Sequence, residues 1–281
     1  EWEMRVVAEC LGTRRNVRRI HWGGGTPNLL TAGQMGRLMH LITDLFHLEE
    51  ESEVSIEMDP RVATPDQPAT LRALGFNRLS MGVQDFDPRV QAAIGRIQPE
   101  SDTVGLLEGA RAAGFESVNF DLVYGLPYQT PESFARTLER VVELAPDRIA
   151  TFSYAHLPEQ RRIQQAVDAS GMPEPREKLD LFLNAVSRFE DAGWQWIGFD
   201  HFARPEDDLA VAARERRLLR NFMGYTTEAG DDLFAFGMSA IGFVADRFVQ
   251  NSAALGEWED SVREGQLPVV RGYHLTEEDK V

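Results

Sequence analysis

The sequence has one cysteine, no long apolar run, and fewer basic than acidic residues. Because Cys10 has no second cysteine to pair with, an intramolecular disulfide is excluded, and this cysteine usage suits the reducing cytoplasm. A membrane-spanning helix needs about 18 consecutive apolar residues, and no such run is present. The opening residues EWEMRVVAECLGTRR also lack the basic start and apolar stretch of a signal peptide. We therefore expect a cytoplasmic protein that is not inserted in a membrane.

The charge balance excludes another class of partner. The 281 residues include 29 Lys and Arg and 45 Asp and Glu, which gives a formal net charge of −16. Sequence-independent binding of nucleic acid rests on Lys and Arg contacts to phosphates, so we expect no nucleic-acid partner. An acidic small molecule can still bind such a protein in a local basic pocket.

Short runs rich in β-branched and aromatic residues alternate with helical segments. Thr31 and Gln34 form a capping-box pattern ahead of apolar residues at helical spacing. Thr64-Pro65, Asp87-Pro88 and Thr130-Pro131 each indicate an N-cap followed by proline in the first turn. This alternation is the βα pattern of a parallel sheet or barrel. The predicted strands are 17–22, 53–58, 77–83, 117–124 and 148–154.

Glycines or polar residues lie at the end of each predicted strand. Each one alone has an ordinary explanation, because loops begin where strands end. In parallel α/β folds, however, the carboxyl ends of the strands converge and form the ligand site. The five groups together therefore predict one site, built from Gly23–Thr26, Glu57 and Asp59, Gln84 and Asp85, Asp121, and Tyr154–His156.

Three consecutive glycines, Gly23, Gly24 and Gly25, follow the first predicted strand in the segment HWGGGTP. Their spacing differs from the G-x-G-x-x-G dinucleotide motif, and the Gly-Lys-Ser/Thr ending of a P-loop is missing. Since glycine loses the most conformational freedom on folding, such a run indicates that something approaches the backbone closely. The residues alone leave the identity of that ligand open.

GGGTP after a strand resembles the motif that holds the amino group of S-adenosylmethionine in radical SAM enzymes. A longer series of matches, from about residue 20 to residue 245, resembles the oxygen-independent coproporphyrinogen III oxidases of that superfamily. The matching blocks, in chain order, are HWGGGTP, SIEMDPR, GFNRLSMGVQDFD, DLVYGLPYQTPESF, YAHLP, DHFARPEDDLA and RNFMGYTT.

The resemblance implies an α/β fold with an incomplete (β/α)6 partial TIM-type barrel over residues 1–200. Residues 201–281 are expected to be the start of a mostly helical substrate-covering region, which is incomplete in this chain. The family binds a [4Fe–4S] cluster through a C-x-x-x-C-x-x-C motif after the first barrel strand, and this chain has only Cys10. We therefore expect an internal piece that lacks this strand, the cluster loop and every metal ligand, and that is inactive alone.

The resemblance also implies a reaction. Members of the family convert two propionates of coproporphyrinogen III into the vinyl groups of protoporphyrinogen IX by radical oxidative decarboxylation. The reduced cluster cleaves S-adenosylmethionine to a 5′-deoxyadenosyl radical, which abstracts a hydrogen atom from the propionate. The implied partners are a tetrapyrrole substrate and an electron donor, and the complete enzyme is expected to be a monomer.

Family members bind two S-adenosylmethionine molecules, and the resemblance assigns residues to each without identifying a catalytic residue. Glu57 is expected to accept hydrogen bonds from ribose hydroxyls. Arg96 and Asp121 are expected to face the carboxylate and the cationic groups of the second molecule. The residues implied for the cluster-bound molecule are Gly24, Glu57, Ala155 and Ile241, and those for the second are Gly25, Thr26, Gln84, Arg96 and Asp121. Without the family, Ile241 would be a core residue and Arg96 a surface arginine.

The substrate carboxylates need cationic anchors, and the segment 204–220 is rich in arginine. One or two of these arginines are expected to bind propionates, while the rest form charge pairs on a helix face. His201 has no assigned role, and Met223 stands where family members often have glutamine. The arginines are Arg204, Arg214, Arg216, Arg217 and Arg220.

Two other functions stay open at this stage. One is that of a haem-binding chaperone in the same superfamily, which binds a tetrapyrrole without transforming it. The other is a non-catalytic scaffold fragment. The blocks MGVQDF, YAHLP, HFARP and GYTT favour the oxidase, because the chaperone-like relatives differ there.

Overall fold

The computed structural model describes residues 1–159, 162–221, 224–227 and 232–280. Contacts divide the chain into two units, the first made of Glu1–Arg18, Gly36–Ser52 and Glu228–Val281, the second of Arg19–Met35 and Glu53–Thr227. The expected boundary between residues 200 and 201 follows the family resemblance and stays a prediction. Within the described residues, no helix has the length and apolar character needed to cross a membrane.

Helices and strands alternate along the first two thirds of the chain. The α-helices are α1 Trp2–Leu11, α2 Ala32–Leu45, α3 Gln67–Ala73, α4 Pro88–Ala93, α5 Glu100–Ala113, α6 Pro131–Leu144, α7 Pro175–Asp191, α8 Asp208–Arg214 and α9 Leu255–Arg263. The strands are β1 Asn16–Trp22, β2 His47–Met58, β3 Arg78–Gln84, β4 Ser117–Tyr124, β5 Arg148–Ser153, β6 Gln195–Gly198, β7 His201–Ala203, β8 Leu219–Asn221, β9 Gly224–Thr226, β10 Ile241–Val244, β11 Arg247–Asn251 and β12 Val269–His274.

A seven-stranded sheet has the order β1-β2-β3-β4-β5-β7-β6. Strands β2 to β5 pair in parallel in chain order, and all five predicted strands are confirmed. The strands β6 and β7 extend the sheet as an antiparallel pair that the sequence analysis did not predict. This sheet, with its helices, is the incomplete barrel expected from the sequence.

The two faces of the central strands differ sharply in burial. Ile56, Met81, Phe120 and Leu122 are fully or almost fully buried and form the apolar face. The residues between them are more exposed and mostly polar, because alternate side chains of a strand point to opposite faces. Partners in register share a face, so one continuous surface carries the polar residues Glu57, Ser80, Asn119, Asp121 and His201 together with Gly82 and the buried Ala150.

The helix starts show how far local sequence determines structure here. Asp87 accepts hydrogen bonds from the backbone N–H groups of Arg89 and Val90, and Thr130 caps α6, both as predicted. The capping pattern at Thr31 is also confirmed. The predicted start at Thr64 is wrong: α3 begins at Gln67 after the cap residue Asp66, because 64–67 first forms a separate turn.

The expectation of a mostly helical region over 201–281 is wrong for the described residues, where two short helices accompany six strands. Strands β10, β11 and β12 form an antiparallel sheet in the first unit. Ala245 and Asp246, both with positive φ, connect β10 to β11 as a two-residue turn. The alternating residues of IGFV and RFVQN on either side were the sequence signal for this hairpin.

Candidate functional site

The glycine run after β1 has two separate structural causes. A Cβ atom on Gly23 would lie 2.6 Å from His21 Nε2 and 2.7 Å from Glu57 Oε1, so a side chain there would displace His21 or Glu57. Gly24 and Gly25 both have φ near +73°, the left-handed region that glycine adopts without strain. Around these two residues a Cβ atom would meet no described atom of the chain within 4 Å, which leaves open space beside the loop.

Glu57 lies at the end of β2 beside this loop. Its Oε1 is 3.2 Å from His21 Nε2, and its Oε2 accepts a hydrogen bond from the Gly24 N–H at 3.3 Å. Ser55 Oγ, 2.9 Å from His21 Nδ1, contacts the other ring nitrogen. The hydrogen bond with His21 lowers the pKa of Glu57, and the His21 charge and the Gly24 N–H act in the same direction against burial. Glu57 therefore presents an ionised, partly exposed carboxylate with acceptor capacity to spare.

Asp59 fixes the loop between β2 and α3. Its side chain accepts hydrogen bonds from the Arg61 side chain at 2.7–3.2 Å, and Arg96 Nη2 lies 3.4 Å from its Oδ1. Its backbone exchanges two hydrogen bonds with the side chain of Asn28. Burial raises the pKa of Asp59, but the bonds from Arg61 and the charge of Arg96 outweigh it, so the net shift is downward.

Gly82 on β3 makes room for the side chains of two predicted site residues, Gln84 and Arg96. A Cβ atom there would lie 2.5 Å from Gln84 Nε2 and 3.1 Å from Arg96 Nη2. Arg96 Nη2 donates to the Gly82 carbonyl at 3.0 Å, and burial lowers the pKa of this guanidinium. Gln84 has φ +65°, where the pairing of β3 with β4 shifts register. Arg96 is therefore a covered residue of the site and not a surface arginine.

Asp121 lies on the same face, one strand further. Ser80 Oγ donates to its Oδ2 at 2.9 Å, and Asn119 Nδ2 donates to its Oδ1 at 2.8 Å. Burial raises the pKa of Asp121 to about 6, although these hydrogen bonds lower it. The charge of Glu57 raises the pKa further and that of His201 lowers it. The site thus holds two carboxylates whose pKa values are shifted in opposite directions.

The segment after β5 carries two buried polar atoms without partners among the described residues, Tyr154 Oη and His156 Nδ1. Lys178 Nζ donates to the Tyr154 carbonyl at 2.5 Å, and its aliphatic chain packs against Gly125. Ala155 is exposed at this strand end, and its carbonyl accepts from Gln164 Nε2 at 3.0 Å.

His201, on β7, is the last residue of the polar sheet face. Its Nδ1 is 2.6 Å from Asp200 Oδ1, and its ring contacts Tyr225 edge to face at 5.3 Å between centroids. Arg220 lies above Phe199 and Tyr225, with its guanidinium carbon 4.9 and 5.8 Å from the ring centroids. Of the five arginines of 204–220, Arg220 is the one seen beside this face.

The other arginines of that segment are engaged elsewhere. Arg204 stacks on Trp194, and Arg214 donates to Gln195 Oε1. Arg217 pairs with Glu215, and Arg216 occupies a left-handed turn position with φ +57°. Of these four arginines only Arg214 belongs to a helix, and among the described residues Arg217 is the one paired with a carboxylate, so the expectation of charge pairs on a helix face is wrong.

Eight of the nine predicted cofactor-binding residues lie in the second unit. Thr26 immediately precedes the short helix Pro27–Leu29 that follows the glycines. Ile241 belongs to the first unit, where it is 36% exposed at the start of β10 and is therefore not a core residue. Met223 lies outside the described residues.

The residues present fit S-adenosylmethionine. Arg96 Nε is a third buried polar atom without a partner among the described residues, and a bound carboxylate would satisfy it. The glycine loop offers space and backbone N–H groups beside an ionised carboxylate. An iron–sulfur cluster is not accommodated in the same way. The described part of the chain contains no group of three His, Cys, Asp or Glu side chains placed to hold a metal, and Cys10 is isolated and exposed.

Several residues of the site were missed in the sequence analysis. Four of them lie on strands and point to the polar face of the sheet: His21, Ser55, Ser80 and Asn119. Strict alternation within each predicted strand would have identified them. A glycine inside a strand indicates close approach of another group, which was the available signal for Gly82.

The chain is similar to known proteins in both sequence and structure. The model of the radical SAM superfamily matches residues 3–141. The oxygen-independent coproporphyrinogen III oxidase of Salmonella typhimurium is 49% identical over 99% of this chain, and that of Pseudomonas aeruginosa is 44% identical over 99%. The structure of the Escherichia coli coproporphyrinogen III oxidase, described as a radical SAM enzyme, superposes with a TM-score of 0.96 at 46% identity.

This chain covers 61% of the length of each of the two curated relatives and 64% of the Escherichia coli structure. The radical SAM superfamily uses S-adenosylmethionine and a [4Fe–4S] cluster as cofactors. Over almost its whole length the chain is similar to the oxygen-independent coproporphyrinogen III oxidases, and over residues 3–141 it matches the radical SAM superfamily.

Proposed function

We propose that this chain binds S-adenosylmethionine and faces the substrate in an enzyme that decarboxylates coproporphyrinogen III oxidatively to protoporphyrinogen IX in haem biosynthesis. The observation that carries the proposal is the polar sheet face, where the glycine loop, Glu57, Arg96 and Asp121 lie at the strand ends of one unit. The near full-length similarity of the chain to enzymes of that name supports it.

The first S-adenosylmethionine molecule is assigned to the glycine loop. Gly24 contributes backbone N–H and space, and Glu57 accepts hydrogen bonds from the ribose hydroxyls. When bound, the cofactor supplies the group that abstracts hydrogen from the substrate. His21, whose Nε2 lies 3.2 Å from Glu57 Oε1, would orient the Glu57 carboxylate and favour its ionised form. Ala155 and Ile241 remain assigned to this molecule by the family resemblance.

A second S-adenosylmethionine molecule is assigned to the neighbouring strand ends. Arg96 would pair with its carboxylate, using the Nε that has no partner among the described residues. Asp121 would face its sulfonium or ammonium group. Gln84, held over Gly82, supplies an amide beside them, and Gly25 and Thr26 complete the set assigned by the resemblance.

The substrate of the proposed reaction carries four propionates. Arg220 is the arginine of the 204–220 segment that lies beside the site, and two aromatic rings position its guanidinium. We assign it one propionate. The complete enzyme would act as a cytoplasmic monomer that receives electrons from a separate donor.

The proposal is tested by titrating the 281-residue chain with S-adenosylmethionine in a calorimeter. Specific binding that Glu57→Ala weakens supports the assignment, whereas the absence of saturable binding contradicts it. The reaction is tested anaerobically with coproporphyrinogen III. The chain alone should release no 5′-deoxyadenosine after treatment with iron and sulfide, and the chain preceded by the cysteine motif expected from the resemblance should form protoporphyrinogen IX.

The haem-binding alternative has its own measurement. A chaperone-like relative should shift the Soret band of added haem at stoichiometric concentration. We expect no such shift, because the similarity to named oxidases extends over almost the whole chain.

A further inference from the structure

Two neutral side chains hold the Asp121 carboxylate. Ser80 Oγ donates to Asp121 Oδ2 at 2.9 Å, and Asn119 Nδ2 donates to Oδ1 at 2.8 Å. The Asn119 amide also donates to Ser80 Oγ at 2.9 Å. The three groups therefore form a closed ring of hydrogen bonds in which each carboxylate oxygen has one fixed donor.

The ring is built into the middle of the sheet. Ser80 on β3 and Asn119 on β4 are direct partners in register, and Asp121 follows two residues later on the same face. Because Ser80 Oγ accepts from Asn119, the single hydroxyl proton of Ser80 is directed to the carboxylate. The paired strands leave these side chains little freedom, so the direction of the carboxylate is fixed by its neighbours.

Two charged groups face Asp121 from other strands. Glu57 on β2 raises the pKa of Asp121, and His201 on β7 lowers it. In the described part of the chain, the donors to the carboxylate are Ser80 and Asn119. Burial favours the neutral carboxyl, so these two hydrogen bonds are the direct contacts that favour its ionised form.

We propose that Ser80 and Asn119 are positioning residues, which hold the Asp121 carboxylate ionised and aimed at the cationic group of a bound S-adenosylmethionine. The identity of that ligand rests on the proposed function. The effect of the ring on Asp121 does not, and it can be measured in the absence of ligand.

The first measurement is an NMR titration of the chain labelled with 13C at the aspartate carboxyl carbons, with the Asp121 signal identified by its loss in Asp121→Asn. Ser80→Ala and Asn119→Ala each remove one hydrogen bond to the carboxylate. Each should raise its midpoint by about one to two pH units, since a hydrogen bond to a charged group is worth about that much. Ser80→Thr keeps the hydroxyl and should restore the wild-type midpoint.

Ser55→Ala is the matched control, because Ser55 is an inward-facing serine on the adjoining strand that contacts His21 instead. It should leave the Asp121 midpoint within a few tenths of a unit. If Ser80→Ala and Asn119→Ala also leave the midpoint unchanged while the chain stays folded, the ring does not set the charge of Asp121 and the proposal is wrong.

The second measurement is the pH dependence of S-adenosylmethionine binding by calorimetry. The pH at which affinity is half-maximal should move upward with the NMR midpoint in Ser80→Ala and Asn119→Ala. A midpoint that moves while binding does not follow it overturns the positioning role. If Asp121→Asn also leaves binding unchanged, it is the assignment of Asp121 in the proposed function that fails.

Discussion

The two ends of the parallel sheet differ in how completely their buried polar and charged groups are paired. At the amino end, Arg78 lies 2.8 Å from Glu53 and 2.7 Å from Asp208, and Arg148 lies 2.8 Å from Asp207. At the carboxyl end, Arg96 Nε, Tyr154 Oη and His156 Nδ1 are buried without partners among the described residues. The charged groups at the amino end are paired with one another without a ligand. The carboxyl end has donors and acceptors that are still available to a ligand.

This difference indicates that the amino end of the sheet contributes to stability and the carboxyl end to ligand binding. Buried polar groups without partners cost free energy, so their presence at the carboxyl end indicates that a ligand supplies the missing contacts. The opposite pKa shifts of Glu57 and Asp121 lie at the same end. Shifted carboxylates of this kind cluster at functional sites. Substitutions at the carboxyl end should therefore change binding, and those at the amino end should change stability.

The largest effect on binding is expected for Glu57→Ala. Loss of a charge-assisted hydrogen bond costs about 1.5–3 kcal/mol, which is roughly a ten- to hundredfold loss of affinity for S-adenosylmethionine. Glu53→Ala is the matched control, because Glu53 is on the same strand but pairs with Arg78 at the other end. Calorimetry on both variants checks the difference. Equal affinities for the two variants would remove Glu57 from the site.

Arg78→Ala should show the reverse behaviour. Arg78 is 15% exposed and faces three carboxylates, which its loss leaves without their shared partner. We expect the free energy of unfolding to fall by about 1–3 kcal/mol, with unchanged affinity for S-adenosylmethionine. Chemical denaturation and calorimetry measure the two quantities. A loss of affinity in the folded variant would show that the two ends are not independent.

Asp121→Asn should remove a pH dependence. A cationic ligand group binds the ionised carboxylate, so the affinity of the wild-type chain should rise roughly tenfold per pH unit well below pH 6 and level off above it. In Asp121→Asn that rise should be lost. Asp66→Asn, at an exposed helix cap, is the control and should keep it. Calorimetric titrations between about pH 4 and 8, centred on the Asp121 pKa, provide the test.

The same carboxyl affects stability with the opposite sign. Because the folded-state pKa of Asp121 lies above the ordinary aspartate value of 3.8, the folded chain binds more protons than the unfolded chain between that value and about 6. Asp121 therefore stabilises the fold at the acid side of this window, and that contribution is lost as the pH rises through 6. Denaturation of Asp121→Asn should show a weaker decline over this interval.

Local sequence was enough to predict five strands of the large sheet and three of the four helix starts that were expected. Asp87-Pro88 and Thr130-Pro131 contain their own capping groups, so no distant contact is needed to place them. The hairpin β6–β7 was missed because its strands are only four and three residues long, too short for a clear alternation. The three-residue strands β8 and β9 are likewise too short, whereas the alternating pattern of β10 and β11 was present and was missed.

The sequence predicted which strand ends form the site, but it did not predict which neighbouring side chains hydrogen-bond to the site residues. Glu57 and Asp121 were predicted from their places at the ends of strands and from the resemblance, while the residues that hold them depend on register between strands. Ser80 meets Asn119, and Gly82 meets Asp121, only because β3 pairs with β4 in that register. A single chain gives no direct signal for such partners, although alternation within each strand indicates which residues share the face.

The smallest effect is expected at the rim of the carboxyl end, for Arg220→Ala. Arg220 is exposed, and an exposed ion pair is worth about 0.2–1 kcal/mol, so we expect a loss of roughly 1.5- to 5-fold in affinity for coproporphyrinogen III. Arg217→Ala is the control, because Arg217 already pairs with Glu215 and should leave affinity unchanged. High salt should reduce the effect of Arg220→Ala, since exposed charges are screened. Equal affinities of the two variants at low salt would exclude Arg220 as a propionate anchor. The residues that bind ligands would then be limited to the polar face of the sheet.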